Sequence, residues 1–295
     1  MFQFDILKDK SEIVPYNTPE FPVYFGEGKL SNFYGKKALC HWHDDLEFIM
    51  AVEGYMVHSV NGNDFRLNEG EAILINAKQL HYGYSDDGTD CKYICILLHP
   101  KLLCTSDYIE NKFVNPIIKH SAFKQMILTP AEIPGNALIE YYNTIYRTTS
   151  IQKMGYELEI LSLFWSIWKQ LFQIYNTHEN LFDSYLDKNL SIQKNMINFI
   201  HKRYTDKIKL NDIAAAGNVC RSKCCAMFKN YLNQTPIEFL NRYRLERGID
   251  FIISSSASIT EIALSCGFTN PSYFTEIFRQ YKGCTPTEYR AISKK

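Results

Sequence analysis

No stretch of this 295-residue chain is long and apolar enough to span a bilayer; the best, near Ile160 to Ile167, is interrupted by polar residues. Nor does Met1-Phe2-Gln3-Phe4-Asp5 offer the basic start and apolar core of a secretory leader. A cytoplasmic protein is therefore expected, with its nine cysteines as reduced thiols. Paired zinc-ligand spacing is lacking too. Cys220, Cys224 and Cys225 cluster, but in an arrangement that suits packing better than a metal or redox site. Net charge is absent, though only as an average. From Asp5 to Ser184 there are 15 Lys and Arg against 23 Asp and Glu, and from Tyr185 to Lys295 there are 17 against 9. An acidic half is thus joined to a basic half, and the basic half points toward a polyanion.

What the chain does have is apolar side chain. At 46% hydrophobic and 14% aromatic it is a packed protein rather than a disordered one, and its length suits two domains. From about Tyr24 to Leu98, short apolar runs alternate with turn signals. Glu47 to Val52, Tyr55 to Val60 and Ala72 to Ile75 read as strands. Asn61-Gly62 is a strong hairpin signal, because both turn positions favour positive φ, and Asn68-Glu69-Gly70-Glu71 marks another turn. Many short strands at close intervals suggest a β-sandwich or barrel.

From about Asn136 the period becomes helical. Leu158, Leu161, Trp165, Trp168 and Phe172 fall three and four apart, a stripe that serves as core or as a dimer seam. Phe182 to Ser191 is mixed and polar and reads as a linker.

The last part of the chain repeats itself. Phe228-Lys229-Asn230-Tyr231 with Thr235-Pro236-Ile237-Glu238-Phe239 matches Phe278-Arg279-Gln280-Tyr281 with Thr285-Pro286-Thr287-Glu288-Tyr289 at an unbroken offset of 50. Upstream, Asp212-Ile213-Ala214 answers Glu261-Ile262-Ala263, with one extra residue near Asn270. This is a duplicated helical unit. Each copy reads as helix, tight turn, helix. In the second, Ile259 to Leu264 is a short amphipathic helix and Cys266-Gly267-Phe268 is the turn. Pro271 then opens a helix that buries Phe274, Ile277 and Phe278. In the first copy, Leu210, Ile213 and Ala214 precede Gly217-Asn218, and Cys224, Met227 and Phe228 take the buried places.

These residues resemble the AraC family of bacterial transcription regulators. The pattern is Ser258-Ile259-x-x-Ile262-Ala263, Gly267-Phe268, Ser272-Tyr273-Phe274, Phe278-Arg279, Gly283-x-Thr285-Pro286 and Tyr289-Arg290. The likeness covers roughly the last hundred residues. It implies seven helices, with two helix-turn-helix units joined by a long helix near Pro236 to Ile253 and two recognition helices entering successive major grooves. The exposed positions it implies are Arg221, Ser222, Lys223, Cys225 and Ala226 in the first recognition helix, and Asn270, Ser272, Tyr273, Thr275 and Glu276 in the second. Arg221, Lys223, Lys229 and Arg279 would reach phosphates. Ser222, Cys225, Ala226, Ser272, Thr275 and Glu276 fall at family positions that face base edges, where Glu276 would accept from a cytosine amino group. Cys225 and Ala226 are small where relatives often carry longer side chains, so the first unit reads thymine methyls or shape, or supplies register.

In the N-terminal half, Gly35, His41-x-His43, Glu47 and Gly54 fit the first cupin motif, and Gly70, Asn76 and His81 fit part of the second. Within a strand, His41 and His43 would share one face, with Glu47 and His81 brought nearby by a barrel. That set suits a divalent transition metal, zinc, iron, nickel or manganese, and equally a hydrogen-bonded ligand. Trp42, Tyr24, Phe33, Tyr82 and Tyr84 would stack on a sugar ring or serve as core.

The expected fold is α+β: a cupin-like β-barrel sensor over residues 1–130, a helical dimerisation or linker region over 131–183, and an all-α tandem helix-turn-helix domain over 184–295. The expected function is a sequence-specific, homodimeric DNA-binding regulator, an activator by family analogy. It would bind double-stranded DNA and respond to a small molecule, a carbohydrate foremost, with His41, Trp42, His43, Glu47 and His81 as ligand-binding residues. RNA polymerase would be a further partner, and no enzymatic activity is expected. The alternative is a cupin metalloenzyme fused to a DNA-binding domain, using the same four metal-type residues. A constitutive architectural DNA binder is a third reading.

Overall fold

The structure is a computed structural model that describes residues 5–6, 12–18, 20–120, 123–178 and 188–293. The leader reading of Met1 to Phe4 and the Phe182 to Asp187 part of the expected linker lie outside the described residues. Two compact units, Met1–Leu186 and Asp187–Lys295, make up the chain.

In the first unit, β1 (Asp5–Ile6) and β2 (Glu12–Ile13) form a small pair. They are followed by β3 (Val23–Lys29), β4 (Leu46–Gly54), β5 (Met56–Val60), β6 (Asn63–Leu67), β7 (Ala72–Ile75), β8 (His81–Tyr84) and β9 (Cys91–Leu98). After α1 (Asp107–Ile109) and α2 (Asn115–Ile118) come β10 (Gln125–Leu128), α3 (Gly135–Ile151) and α4 (Tyr156–His178). The strands form one sheet in the order β10-β7-β4-β9-β3 and another in the order β6-β5-β8. Among the described residues no strand pairs across the two sheets, so the expected barrel is an open sandwich. The corner lies at Gly54, where φ of +74° turns the chain from β4 in one sheet to β5 in the other; an added Cβ there would sit 2.6 Å from the Asp90 carbonyl oxygen. Between β5 and β6, Asn61 and Gly62 both have positive φ, 50° and 82°, as their hairpin requires.

Alternation along β4 serves two layers. Leu46, Phe48 and Met50 pack with Leu138, Tyr142, Phe164 and Trp168 of the helices, while Ile49 and Ala51 pack with Met56, Val60 and Ile75 inside the sandwich. The buried stripe of α4 is Ile160, Phe164, Ile167, Trp168 and Leu171. This corrects the expected stripe. Leu158 is 73% exposed, because α4 is apolar on two adjacent stripes and the sheet selects the one that faces it.

The second unit has seven helices among its described residues: α5 (Lys188–Arg203), α6 (Leu210–Ala216), α7 (Arg221–Leu232), α8 (Pro236–Ser254), α9 (Ile259–Ser265), α10 (Pro271–Lys282) and α11 (Pro286–Ser293). The 50-residue repeat is structural. Asn233 and Gly283 each end a helix in the left-handed region, and Thr235 with Glu238 and Thr285 with Glu288 form matching caps. The extra residue lies in the second turn, between Ser265 and Pro271. There Gly267 is left-handed (φ 85°), whereas in the first turn that conformation is taken by Asn218 (φ 52°) and not by Gly217.

Candidate ligand cavity and nucleic-acid interface

β4 directs Glu47 into the sandwich on the same side as Ile49, at the wall of a cavity that is partly open to solvent. His41 reaches that wall from outside the regular strands. Its backbone makes a single antiparallel bridge to His81 on β8, with N–H···O distances of 3.1 and 2.9 Å. His43 is placed by its carbonyl, which accepts from Lys78 N at 2.7 Å. Donor atoms of His41, His43, Glu47 and His81 lie within 4.8 Å of one another.

Protonation within this cluster is constrained by its surroundings. The Nδ1 atoms of His41, His43 and His81 lie 2.9, 3.2 and 2.9 Å from the carbonyl oxygens of Leu39, Asp45 and Gln79. A carbonyl only accepts, so each Nδ1 carries the proton and each Nε2 is left as the group that faces the cluster. The Nε2 atoms of His43 and His81 lie 3.0 and 2.5 Å from one oxygen of Glu47. Burial opposes ionisation of Glu47, but the charge of His81 and hydrogen bonds from His43 and His81 outweigh it and hold the carboxyl well below its ordinary range. For His41, burial and then repulsion from His81 push the imidazole well below its ordinary value.

An ionised Glu47 must therefore receive a proton from each Nε2 or meet it lone pair to lone pair. Two buried imidazolium rings against one carboxylate leave net positive charge out of water, which is costly. A divalent cation shared by the lone pairs satisfies the same atoms, and the carbonyl-anchored Nδ1–H groups are what orients imidazole ligands toward a metal. The donor set fits. The spread needs closing, since neighbouring donors in a tetrahedron of 2.1 Å bonds are about 3.4 Å apart. A metal held there would supply Lewis acidity. Beside the cluster, Cys95 donates from Sγ to the other Glu47 oxygen at 3.5 Å, and Tyr16 donates to Asp45 at 2.8 Å.

Of the aromatic residues expected around this space, Tyr24, Phe33 and Tyr82 line it, whereas Trp42 and Tyr84 do not. Trp42 is buried between the two histidines it separates, and alternation along an extended segment turns it away from the face they share.

In the second unit, α6 with α7 and α9 with α10 form the two helix-turn-helix pairs. Arg221, Ser222, Lys223, Ala226 and Lys229 are exposed on α7, as are Ser272, Tyr273, Glu276 and Arg279 on α10; Cys225 and Thr275 are half-buried. Phe228, Phe274 and Phe278 are fully buried on the opposite faces. Two of the expected contact residues already have local work: Asn270 caps α10 by accepting from Ser272 N at 2.9 Å, and the Thr275 hydroxyl donates to Pro271 O at 3.1 Å. Arg244 of α8, the helix that joins the two pairs, holds the segment between α5 and α6: its Nε and Nη2 donate to Tyr204 O and Asp206 O, both at 2.7 Å.

Residues 36–109 match the profile of the AraC-like ligand binding domain, and residues 213–292 match that of a helix-turn-helix domain. The chain belongs to the AraC family. Among curated relatives of this AraC-family chain, an uncharacterised helix-turn-helix-type transcriptional regulator of Bacillus subtilis, YdeC, is 27% identical over 99% of this chain and 100% of its own. The melibiose operon regulatory protein of Escherichia coli is 24% identical over 86% of this chain and 84% of its own. The transcriptional activator RhaR of Mannheimia succiniciproducens is 24% identical over 85% and 86%. The AraC-family chain is thus a DNA-binding transcriptional regulator with a ligand-binding domain, and its relatives are regulators rather than enzymes. Among the described residues no helix is long and apolar enough to cross a membrane. Among the described residues none of the nine cysteines is in a disulfide; burial pushes the Cys224 thiol up to about 11, which suits packing.

Sequence reasoning missed His58, Tyr93 and Cys95, which also line the cavity of this AraC-family chain. His58 was within reach: it shares the parity of Met56 and Val60 on β5, whose side chains fill the sandwich interior.

Proposed function

We propose that this regulator binds a small effector in the cavity beside Glu47, and that occupancy changes how two helix-turn-helix units hold DNA. The observation that carries the reading is the pair of recognition helices α7 and α10, equivalent by a 50-residue repeat, each with a buried aromatic face and a polar outer face. Arg221, Lys223, Lys229 and Arg279 would meet phosphates. Ser222, Cys225, Ala226, Ser272, Thr275 and Glu276 would face bases, with Asn270 and Tyr273 at the margin. The fold divides functionally into a sensor over 1–130, helices over 131–183 that pair two copies of the chain, and a DNA-binding part over 184–295; a homodimer matches a two-fold DNA site. His41, His43, Glu47 and His81 hold a divalent transition metal. The effector is a carbohydrate, as the melibiose-operon relative suggests, and regulation is activation through contact with RNA polymerase, as the RhaR relative suggests.

Coupling between effector and DNA is a free energy shared by two sites and must be reciprocal. The test is selection of the purified full chain on random-sequence duplex, followed by fluorescence anisotropy across a salt series. Enriched sequences should carry two short motifs about one helical turn apart. Arg279→Ala should weaken every sequence alike and lower the salt slope by about 0.9 per lost phosphate contact, while Glu276→Gln should change base preference. Absence of enrichment, or a slope unmoved by Arg279→Ala, refutes the interface. The metal cluster also fits the rival reading of a cupin metalloenzyme; product formation from a bound ligand would establish that instead.

A further inference from the structure

We propose that His58 is a second hydrogen-bonding point of the cavity, separate from the His41, His43, Glu47 and His81 cluster, and that it recognises a hydroxyl group on a neutral, ring-bodied effector. The inference rests on the reading of the first unit as an effector-binding domain. His58 lies in the middle of β5 and is 1% exposed, yet neither ring nitrogen has a hydrogen-bond partner among the described residues. Its ring lies nearly parallel to that of His81, with centroids 5.9 Å apart, so it borders the cluster without joining it. It lines the same cavity.

The neighbouring strand leaves one edge of this imidazole clear. The register partner of His58 on β8 is Gly83, whose φ is not positive, so the backbone there does not require glycine. Space does. A Cβ on Gly83 would come within 3.0 Å of Met56 Cε and 3.4 Å of His58 Nδ1. The glycine keeps a side chain from covering the nitrogen, and a buried polar group with no partner costs folding free energy. His58 is therefore a liability in the free protein that a bound ligand would relieve.

The chemistry selects the ligand head. A ring this buried, with no partner for either nitrogen among the described residues, is held as the neutral imidazole, which offers one N–H and one lone pair. A hydroxyl can meet whichever nitrogen it reaches, accepting from the N–H or donating to the lone pair, whereas a carboxylate can meet only the N–H. No Lys or Arg is among the residues lining the cavity, so an added anion would have no cationic side chain beside it. Tyr24, Phe33 and Tyr82 supply flat faces for the body of a ring.

The experiment uses the full chain and His58→Phe, which keeps a flat ring and removes both nitrogens. Thermal melts are recorded without ligand, and isothermal titration is run with L-rhamnose, cyclohexanol and cyclohexanecarboxylate. We expect His58→Phe alone to melt at or above the wild-type temperature, because it removes an unsatisfied polar group. We expect the wild type to bind the hydroxyl probes in preference to the carboxylate, and the variant to lose about tenfold in that affinity. A variant that melts clearly lower assigns His58 a structural role and overturns the proposal, as does hydroxyl binding unchanged by the substitution. Binding of the carboxylate alone keeps the effector domain and removes the hydroxyl assignment. Binding of none of the three removes both.

Discussion

Gly267 gives the sharpest test of how the second helix-turn-helix is held. Its φ of +85° costs a residue with a side chain about 1–2 kcal/mol. Space is the second obstacle: a Cβ would lie 2.4 Å from Tyr204 O, 2.9 Å from Thr205 Cα and 3.0 Å from Arg244 Nε. The first two of these belong to the chain that precedes α6, and the third is the side chain that fastens that segment through its 2.7 Å hydrogen bonds. Relieving the clash must displace Arg244 or the segment it holds, and losing one charged hydrogen bond costs about 1.5–3 kcal/mol. Gly267→Ala should therefore destabilise the second unit by about 3–5 kcal/mol, a fall of more than about 12 °C for a unit of this size. The tryptophans separate the units: Trp42, Trp165 and Trp168 all lie in the first. Far-UV circular dichroism should show an early helical transition in the variant while tryptophan fluorescence melts as in the wild type. A change below 1 kcal/mol, or a matching shift in fluorescence, would refute the placement of this turn against Tyr204 and Arg244.

Metal content tests the cluster. Protein grown with added zinc, iron, nickel or manganese should retain near-stoichiometric metal by elemental analysis and lose it in Glu47→Gln, and a chelator should lower the fluorescence melt of the first unit; wild-type protein free of metal after supplementation would disprove the assignment. The second unit should also show a pH effect through Asp250, which burial raises to about 6 against the pull of Arg247. An acid raised in the folded state destabilises folding once ionised: the penalty is absent below the ordinary value of 3.8, develops up to about 6 and is full above it. Asp250→Asn should thus stabilise the second unit at pH 7, with the gain fading toward pH 4 in dichroism melts; a less stable variant at pH 7 would mean that the Arg247 contact outweighs desolvation.

Legibility from sequence followed the range of the interactions involved. The tandem unit was readable because its signals are local: Thr235 and Thr285 cap helices that begin at Pro236 and Pro286, and each copy repeats that chemistry at its own position. The strands Ala72–Ile75 and Met56–Val60 were readable as short runs bounded by turn signals, and the Asn61-Gly62 hairpin from its preference for positive φ. Closure of the barrel was not, since it depends on pairing between strands far apart in sequence, and the turn at Gly54 sends β5 into a separate sheet. The stripe on α4 failed for a related reason: two apolar stripes satisfy the same spacing, and only the sheet decides between them. In the candidate site, motif spacing brought out His41, His43, Glu47 and His81 but passed over His58, a lone histidine whose meaning comes from the absence of partners around it.

The four cluster residues are not equally able to move. Glu47 sits on β4, paired on one edge with β7 and on the other with β9, opposite Ile75 and Leu97. Its neighbour Phe48 is locked on the far face against Tyr142, with ring centroids 6.0 Å apart, and Tyr142 donates to Ile94 O of β9 at 2.7 Å. The histidines stand on looser ground: His41 and His43 precede β4 with one isolated bridge, and His81 opens an edge strand of the three-stranded sheet. Closing donors from a 4.8 Å spread toward about 3.4 Å must therefore draw the histidines toward Glu47 and not the reverse. Hydrogen exchange reads this directly, because the amides of His41, His81 and Lys78 carry the bonds that tie those segments. Zinc should slow exchange at those three amides and leave the already protected centre of β4 unchanged. Slowing confined to β4 would show that the strand, and not the histidine segments, adjusts to the ion.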